Sequence, residues 1–249
     1  MVVADLPAVV AAVVAVAAGR GQPGSGPGSD PITPRNREAL SQHIYQRRPV
    51  NSGAIPGVIF LLLIANGLVF AAQQFPLFAE FLGRYFALWP LKSALADFYP
   101  WQLVTYGFLH GNTMHLLFNM FMLWMFGREL ELMMGPRRFV TYYMTCVIGA
   151  GIVQLIVTGL QGSPYPVVGA SGGVFGLLLA FGMAFPNRMI MLMFPPIPMK
   201  AKYMVVLFGC LELYFGLSGR APGIANFAHL GGMLFGFLLI RHWKKAGRR

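Results

Sequence analysis

Charge is scarce in this sequence. Only 11% of its 249 residues are Asp, Glu, Lys or Arg, against about 25% in a soluble domain. Hydrophobic residues make up 56%. A water-soluble globular domain is therefore excluded, and the chain reads as a polytopic membrane protein embedded in a lipid bilayer. Cysteine is almost absent. Cys146 and Cys210 each fall inside an apolar run, which excludes a disulfide framework and suits buried thiols that pack as small hydrophobes. Acidic residues number eight against 19 Lys and Arg. That excess of positive charge would suit nucleic acid if it formed a face. The basic residues instead sit at the ends of apolar runs, as flanking charges of membrane helices do, so no nucleic-acid partner is expected. No His-Glu-x-x-His or similar helical pair occurs; neither a metal nor a cofactor is expected.

What is present starts weakly. Residues 8 to 18 contain only Ala and Val, too short a run to span a bilayer, which takes ~20 residues. Ala15-Val16-Ala17 imitates a signal-peptide cleavage site, but no basic residue precedes the run. Gly, Pro and Ser dominate from Gly19 to Pro31, which marks a flexible linker. Residues 1–50 are expected to be a largely disordered N-terminal cytoplasmic segment, and 51–245 a membrane domain.

Six apolar runs follow, at about 56–75, 113–133, 139–160, 171–185, 201–218 and 226–243. They predict an all-α membrane protein of six transmembrane helices. Met189 to Met199 is apolar but broken by Pro195, Pro196 and Pro198, and is expected to be a loop at the membrane surface rather than a seventh span. With the N-terminus in the cytoplasm, sixteen Lys and Arg fall inside and three (Arg84, Lys92 and Arg220) fall outside. That bias favours six spans with both ends cytoplasmic. The long outer connection from Pro76 to Asn112, with Trp89, Tyr99 and Trp101, should lie partly in the interface.

The topology sorts the polar residues. His115 and Asn119 stand four apart, on one face near the outer end of the second span. Ser171 opens the fourth span and His229 lies near the outer start of the sixth. All four share one depth on one side. The fourth span, with about fifteen residues, reaches only ~22 Å across a ~30 Å hydrocarbon core. Ser171 is therefore expected below the outer surface, after a loop that is buried or lines water. Gly172, Gly176, Ala180 and Ala184 form a stripe of small residues on the fourth span, and Gly232 and Gly236 another on the sixth. Facing stripes let the two backbones approach and bring His229 to Ser171.

Gly169-Ala170-Ser171-Gly172-Gly173 spells G-x-S-x-G, the pattern of a nucleophile elbow, but no strand precedes it. The chemistry is read from the residue types instead. Ser171 is a weak nucleophile until a base takes its proton, and His229 can do so. Asn119, His115 and the Ser171 backbone N–H offer donors to an oxyanion. No Asp or Glu stands where it obviously orients His229, so a dyad is expected rather than a triad. Bland readings exist for each residue alone: a packing histidine, an N-cap serine, an asparagine bridging helices. Four together at one depth are expected to be functional.

His115-Leu116-Leu117-Phe118-Asn119, Gly169-Ala170-Ser171-Gly172 and Ala228-His229-Leu230-Gly231-Gly232 resemble the three signature motifs of rhomboid intramembrane serine proteases. Gly127 to Gly135, with Glu131 between, is similar to the end of that family's second helix. The resemblance implies a six-helix rhomboid bundle with a short central fourth helix. It implies Ser171 as nucleophile, His229 as base, and His115 and Asn119 serving the oxyanion hole. It also implies cleavage of single-span membrane proteins near the outer end of their helices, and a bacterial cytoplasmic membrane. Some members carry Trp-Arg where this chain has Trp101-Gln102, and some carry Tyr where it has Phe175. His110 matches a loop histidine of the family. The alternative is a catalytically inactive relative that binds membrane clients; such relatives generally lack the serine or the histidine, and both are present here.

Overall fold

The computed structural model describes residues 56–191, 196–220 and 225–246. The expectations for residues 1–50 lie outside the described residues.

Each of the six apolar runs is a helix. They are α1 (Gly57–Gln73), α4 (Thr113–Met134), α5 (Pro136–Gln161), α6 (Ser171–Ala184), α7 (Ala201–Ser218) and α8 (Asn226–Ala246). The long connection between the first two is more ordered than a surface loop. It holds α2 (Pro76–Phe86), the short α3 (Gln102–Thr105) and a 3₁₀ turn at Tyr106–Phe108. Pro76 opens α2, where its missing N–H costs nothing, and α2 turns away from α1 by 119°.

Residues 189–199 correct the sequence reading. Met189–Met191 and Pro198–Lys200 pair as a short antiparallel ribbon, β1 and β2, with Ile190 opposite Met199. The prolines had argued for a loop. Pro198 opens its strand, a position where a proline is tolerated, and Ile190 gives the ribbon a buried side chain.

By length and composition, α5 and α7 can each cross a membrane, and α1 with α2 counts as a third if the bent pair is one span. The others are short or carry charge. α6 has 14 residues, ~21 Å at 1.5 Å per residue, while α4 contains Arg128, Glu129 and Glu131.

The helices pack around α6, which is buried along most of its length. Glycine sets how closely. A Cβ on Gly232 of α8 would collide with the Gly172 carbonyl of α6, and one on Gly176 would meet Cys146 of α5 and the Gly232 carbonyl. The expected stripe-to-stripe contact is thus made at Gly172, Gly176 and Gly232. Gly236 faces a different helix: a Cβ there would strike the Tyr142 hydroxyl and Cys146, both on α5. The Tyr142 hydroxyl in turn donates to the Gly176 carbonyl at 2.8 Å. Cys146 is buried as expected, whereas Cys210 is exposed; both are free thiols. α7 is loosely packed, with only Ala201 and Met204 buried.

Candidate functional site

The serine is placed by the chain on either side of it. Before it, Leu88 and Val167 exchange two backbone hydrogen bonds of 3.0 Å, and Gly169 N–H donates to the Tyr106 carbonyl at 2.9 Å. Gly169 adopts φ +133°, a backbone that side chains rarely take. A Cβ there would sit 2.9 Å from His115 Nε2 and 3.6 Å from Ser171 Oγ. The glycine is therefore required where the histidine and the serine come together. Ser171 is the first helical residue of α6, and the N-cap is Ala170, with no side-chain cap bond. The hydroxyl is thus not engaged in capping, the bland reading of a serine at a helix start.

It meets His229 instead. His229 Nε2 lies 2.8 Å from Ser171 Oγ. The imidazole stacks on Phe175, with ring centroids 4.3 Å apart and planes 5° from parallel, so the lost tyrosine hydroxyl leaves the stacking intact. The two residues come from α6 and α8, whose close approach the glycines allow.

His115 and Asn119 stand at the start of α4. Asn112 caps that helix, its side-chain oxygen accepting from His115 N–H at 2.8 Å. His115 Nδ1 accepts a long contact of 3.5 Å from Gly111 N–H. That contact is consistent with a ring proton on Nε2, the atom beside Gly169. Asn119 donates one amide hydrogen to the His115 carbonyl at 2.8 Å; the amide carries a second. His115, Asn119, Ser171 and His229 all line one open cavity of about 1000 Å³. The four residues read from the sequence are thus brought together.

Three features were not read from the sequence. The first is a correction: an acidic residue does reach His229. Glu212 of α7 places Oε2 3.0 Å from His229 Nδ1, and Asn226 Nδ2 donates to the same oxygen at 2.6 Å. The carboxylate lies off the ring N–H direction, so Nδ1 has no aligned hydrogen-bond acceptor; the contact is a close approach of the carboxylate to the ring nitrogen. Glu212 was visible only as an acidic residue in an apolar run, and 17 residues of sequence hid its partner. The second is Gln154 and Thr158 of α5, which line the same cavity. Their signal was two polar residues one helical turn apart in an apolar run. The third is Gln102. It is buried, accepts from Trp89 N–H at 3.2 Å and donates to the Tyr85 and Asp97 carbonyls. It ties the connection together at the position where some relatives carry arginine.

His110 is buried with neither ring nitrogen bonded and turns its edge to His115, centroids 5.2 Å apart. Burial, aided by His115, pushes its imidazole down to about 4, so it is neutral near pH 7 and brings no charge to the cavity. Among the described residues no group of three His, Cys, Asp or Glu is arranged to hold a metal.

Fold and site together define a class: an apolar helical bundle, integral to a membrane, that holds a serine and a histidine in contact at the wall of an open cavity. Within that class the chain belongs to the rhomboid family, whose Rhomboid domain matches residues 97–243. It is 31% identical over 191 residues to Rhomboid protein 1, mitochondrial, of Saccharomyces cerevisiae, covering 76% of this chain and 54% of that protein. It is 34% identical over 147 residues to Rhomboid protease GluP of Bacillus subtilis, covering 59% of this chain and 26% of the relative. It is 27% identical over 186 residues to the Presenilin-associated rhomboid-like protein, mitochondrial, of Mus musculus, covering 73% and 47%. The chain thus spans about half the length of these relatives, or less.

Proposed function

We propose that this protein is an intramembrane serine endopeptidase of the rhomboid type, acting through Ser171 and His229. The observation that carries the reading is the 2.8 Å contact between His229 Nε2 and Ser171 Oγ beside an open cavity. His229 takes the hydroxyl proton as Ser171 attacks a substrate carbonyl, then returns it to the leaving amine. The tetrahedral oxyanion is met by the His115 ring N–H, the Asn119 amide and the backbone N–H groups that open α6. A water then repeats the sequence and releases the acyl group from Ser171. The name of GluP, a protease, supports the same kind of activity.

The substrates are transmembrane segments. A helix hides its carbonyls in hydrogen bonds, so the segment must unwind before Ser171 can attack, which selects Gly, Pro and other helix-weakening residues near the cut. The cavity is lined by Phe118 and Met122 of α4 and by Met204 and Phe208 of α7, which suits lateral entry past the loosely packed α7. The membrane domain is assigned to residues 51–245 with six spans. Both ends lie on the Arg- and Lys-rich side, which makes the cut fall near the far end of the substrate helix. Relatives named mitochondrial stand beside a bacterial one, and they do not favour a bacterial cytoplasmic membrane over another.

An inactive client-binding relative has no observation in its favour, since both reacting groups are present and in contact. The test is cleavage of a single-span substrate reconstituted with the purified protein. Ser171→Ala and His229→Ala each abolish cleavage while folding is kept, and EDTA has no effect. Turnover at the parent rate in either variant would sink the proposal. A substrate whose outer Gly and Pro residues are replaced by Leu is cut more slowly; equal rates would remove the unwinding step.

A further inference from the structure

The geometry points to Glu212 as a positioning residue for His229, held in turn by Asn226; this rests on the Ser171–His229 reading above. Three helices contribute. Glu212 comes from α7, Asn226 and His229 from α8, and Ser171 from α6. The Glu212 and His229 side chains are mostly buried, at 12% and 11% exposure, so little water competes for the carboxylate. Glu212 Oε2 lies between the Asn226 amide at 2.6 Å and His229 Nδ1 at 3.0 Å. A carboxylate is acceptor-only when ionised. Facing Nδ1, it favours the imidazole tautomer with the proton on Nδ1 and leaves Nε2 bare toward Ser171. That tautomer can take the serine proton; the other cannot. When the ring becomes imidazolium during attack, the same carboxylate steadies the new charge. Stacking on Phe175 fixes the ring plane, and Glu212 favours the proton on Nδ1 rather than on the nitrogen that faces the serine.

The placement on α7 gives this contact a second property. α7 has few buried residues, and the cavity opens beside it. A carboxylate carried by this helix completes its contact with the histidine only while α7 stays packed against α8.

The test compares Glu212→Gln, Glu212→Leu and Asn226→Ala with the parent on a reconstituted substrate, separating kcat from KM, with Ser171→Ala run alongside. One oxygen, Oε2, meets both Asn226 and Nδ1, so a glutamine whose oxygen takes its place keeps both contacts and loses only the charge. Leucine removes the acceptor altogether. Glu212→Leu should therefore lower kcat about 10–100-fold with KM unchanged. That is short of the ~10⁴-fold effect of the buried, aligned carboxylate in soluble triads, since the approach here is off-axis. Glu212→Gln loses less, and Asn226→Ala, which keeps the carboxylate, loses least. A role in packing alone would move KM or the melting temperature and spare kcat. The proposal is overturned if Glu212→Leu keeps kcat within twofold of the parent, or if it raises turnover, which would make the contact a restraint on α7. If leucine does not fold, Glu212→Gln decides, and a kcat equal to the parent's overturns the proposal. Activity in Ser171→Ala would instead overturn the underlying reading; a dead Ser171→Ala with an unaffected Glu212→Leu overturns only this one.

Discussion

The two ends of α4 place polar side chains in an apolar helix for different reasons. At its start, His115 and Asn119 line the cavity beside Ser171, and each keeps donor capacity beyond its local bonds. Near its end, Glu131 is buried and both of its oxygens are taken. Oε1 accepts from Val58 N–H at 3.1 Å and Oε2 from Ile59 N–H at 2.9 Å. α1 begins after Pro56 with no side-chain cap of its own, so a carboxylate from another helix satisfies its opening amides. The difference is in what the polar atoms meet. Groups fully satisfied by backbone hold the fold, and groups with capacity left at a cavity wall are available to a substrate. Sequence position alone does not separate the two cases, because both lie inside one helix.

Four substitutions sharpen or break this contrast. The largest effect is expected at the cavity end and in rate alone. Losing one oxyanion donor typically costs ~10²–10³ in kcat, and Asn119→Ala should fall in that range or below it, since other donors remain. His115→Ala with Asn119→Ala should lose more, with the melting temperature in detergent little changed. An unaltered rate in the double variant would remove both from the oxyanion hole. At the other end the effect should be on stability. Glu131→Ala leaves two helix-opening amides without an acceptor, a loss of about 2–4 kcal/mol. It should lower the melting temperature and the yield while kcat per folded molecule stays near the parent value. A selective loss of kcat in Glu131→Ala would erase the distinction between the two ends. The smallest effect belongs to Glu129, two residues away, which bonds Arg188 at 2.8 Å with side-chain exposures of 34% and 53%. Solvent screens such a pair to about 0–1 kcal/mol, so Arg188→Ala should change neither melting nor rate.

Much of the site was legible because it is local in sequence or periodic. The one-turn spacing of His115 and Asn119, the glycines around Ser171 and the stripe on α8 each follow from the 3.6-residue repeat and from the need for close backbone approach. The apolar runs marked all six helices because a chain in lipid must satisfy its backbone within itself. What stayed hidden depends on side chains meeting across helices. Glu212 lies in an apolar run with no spacing signal to His229, and only the packing of α7 on α8 brings the carboxylate to 3.0 Å. Gly236 was expected to face α6, but the rotation of α8 turns it to Tyr142 of α5. The ribbon at Met189–Met191 and Pro198–Lys200 was masked by its prolines. The expectation of six spans rests on the apolar runs and the charge bias and not on helix length, since among the described residues only α5 and α7, with α1 and α2 as a bent third, are long and apolar enough.

The central claim is that Ser171 is a nucleophile made reactive by His229. The most direct measurement is labelling of the purified protein in detergent with a fluorophosphonate probe, followed by mass mapping of the modified residue. The account predicts one modified site, Ser171, with labelling abolished in His229→Ala and in Ser171→Ala, and undiminished by EDTA. A label on another residue, or labelling of Ser171 that proceeds equally well without His229, would contradict it.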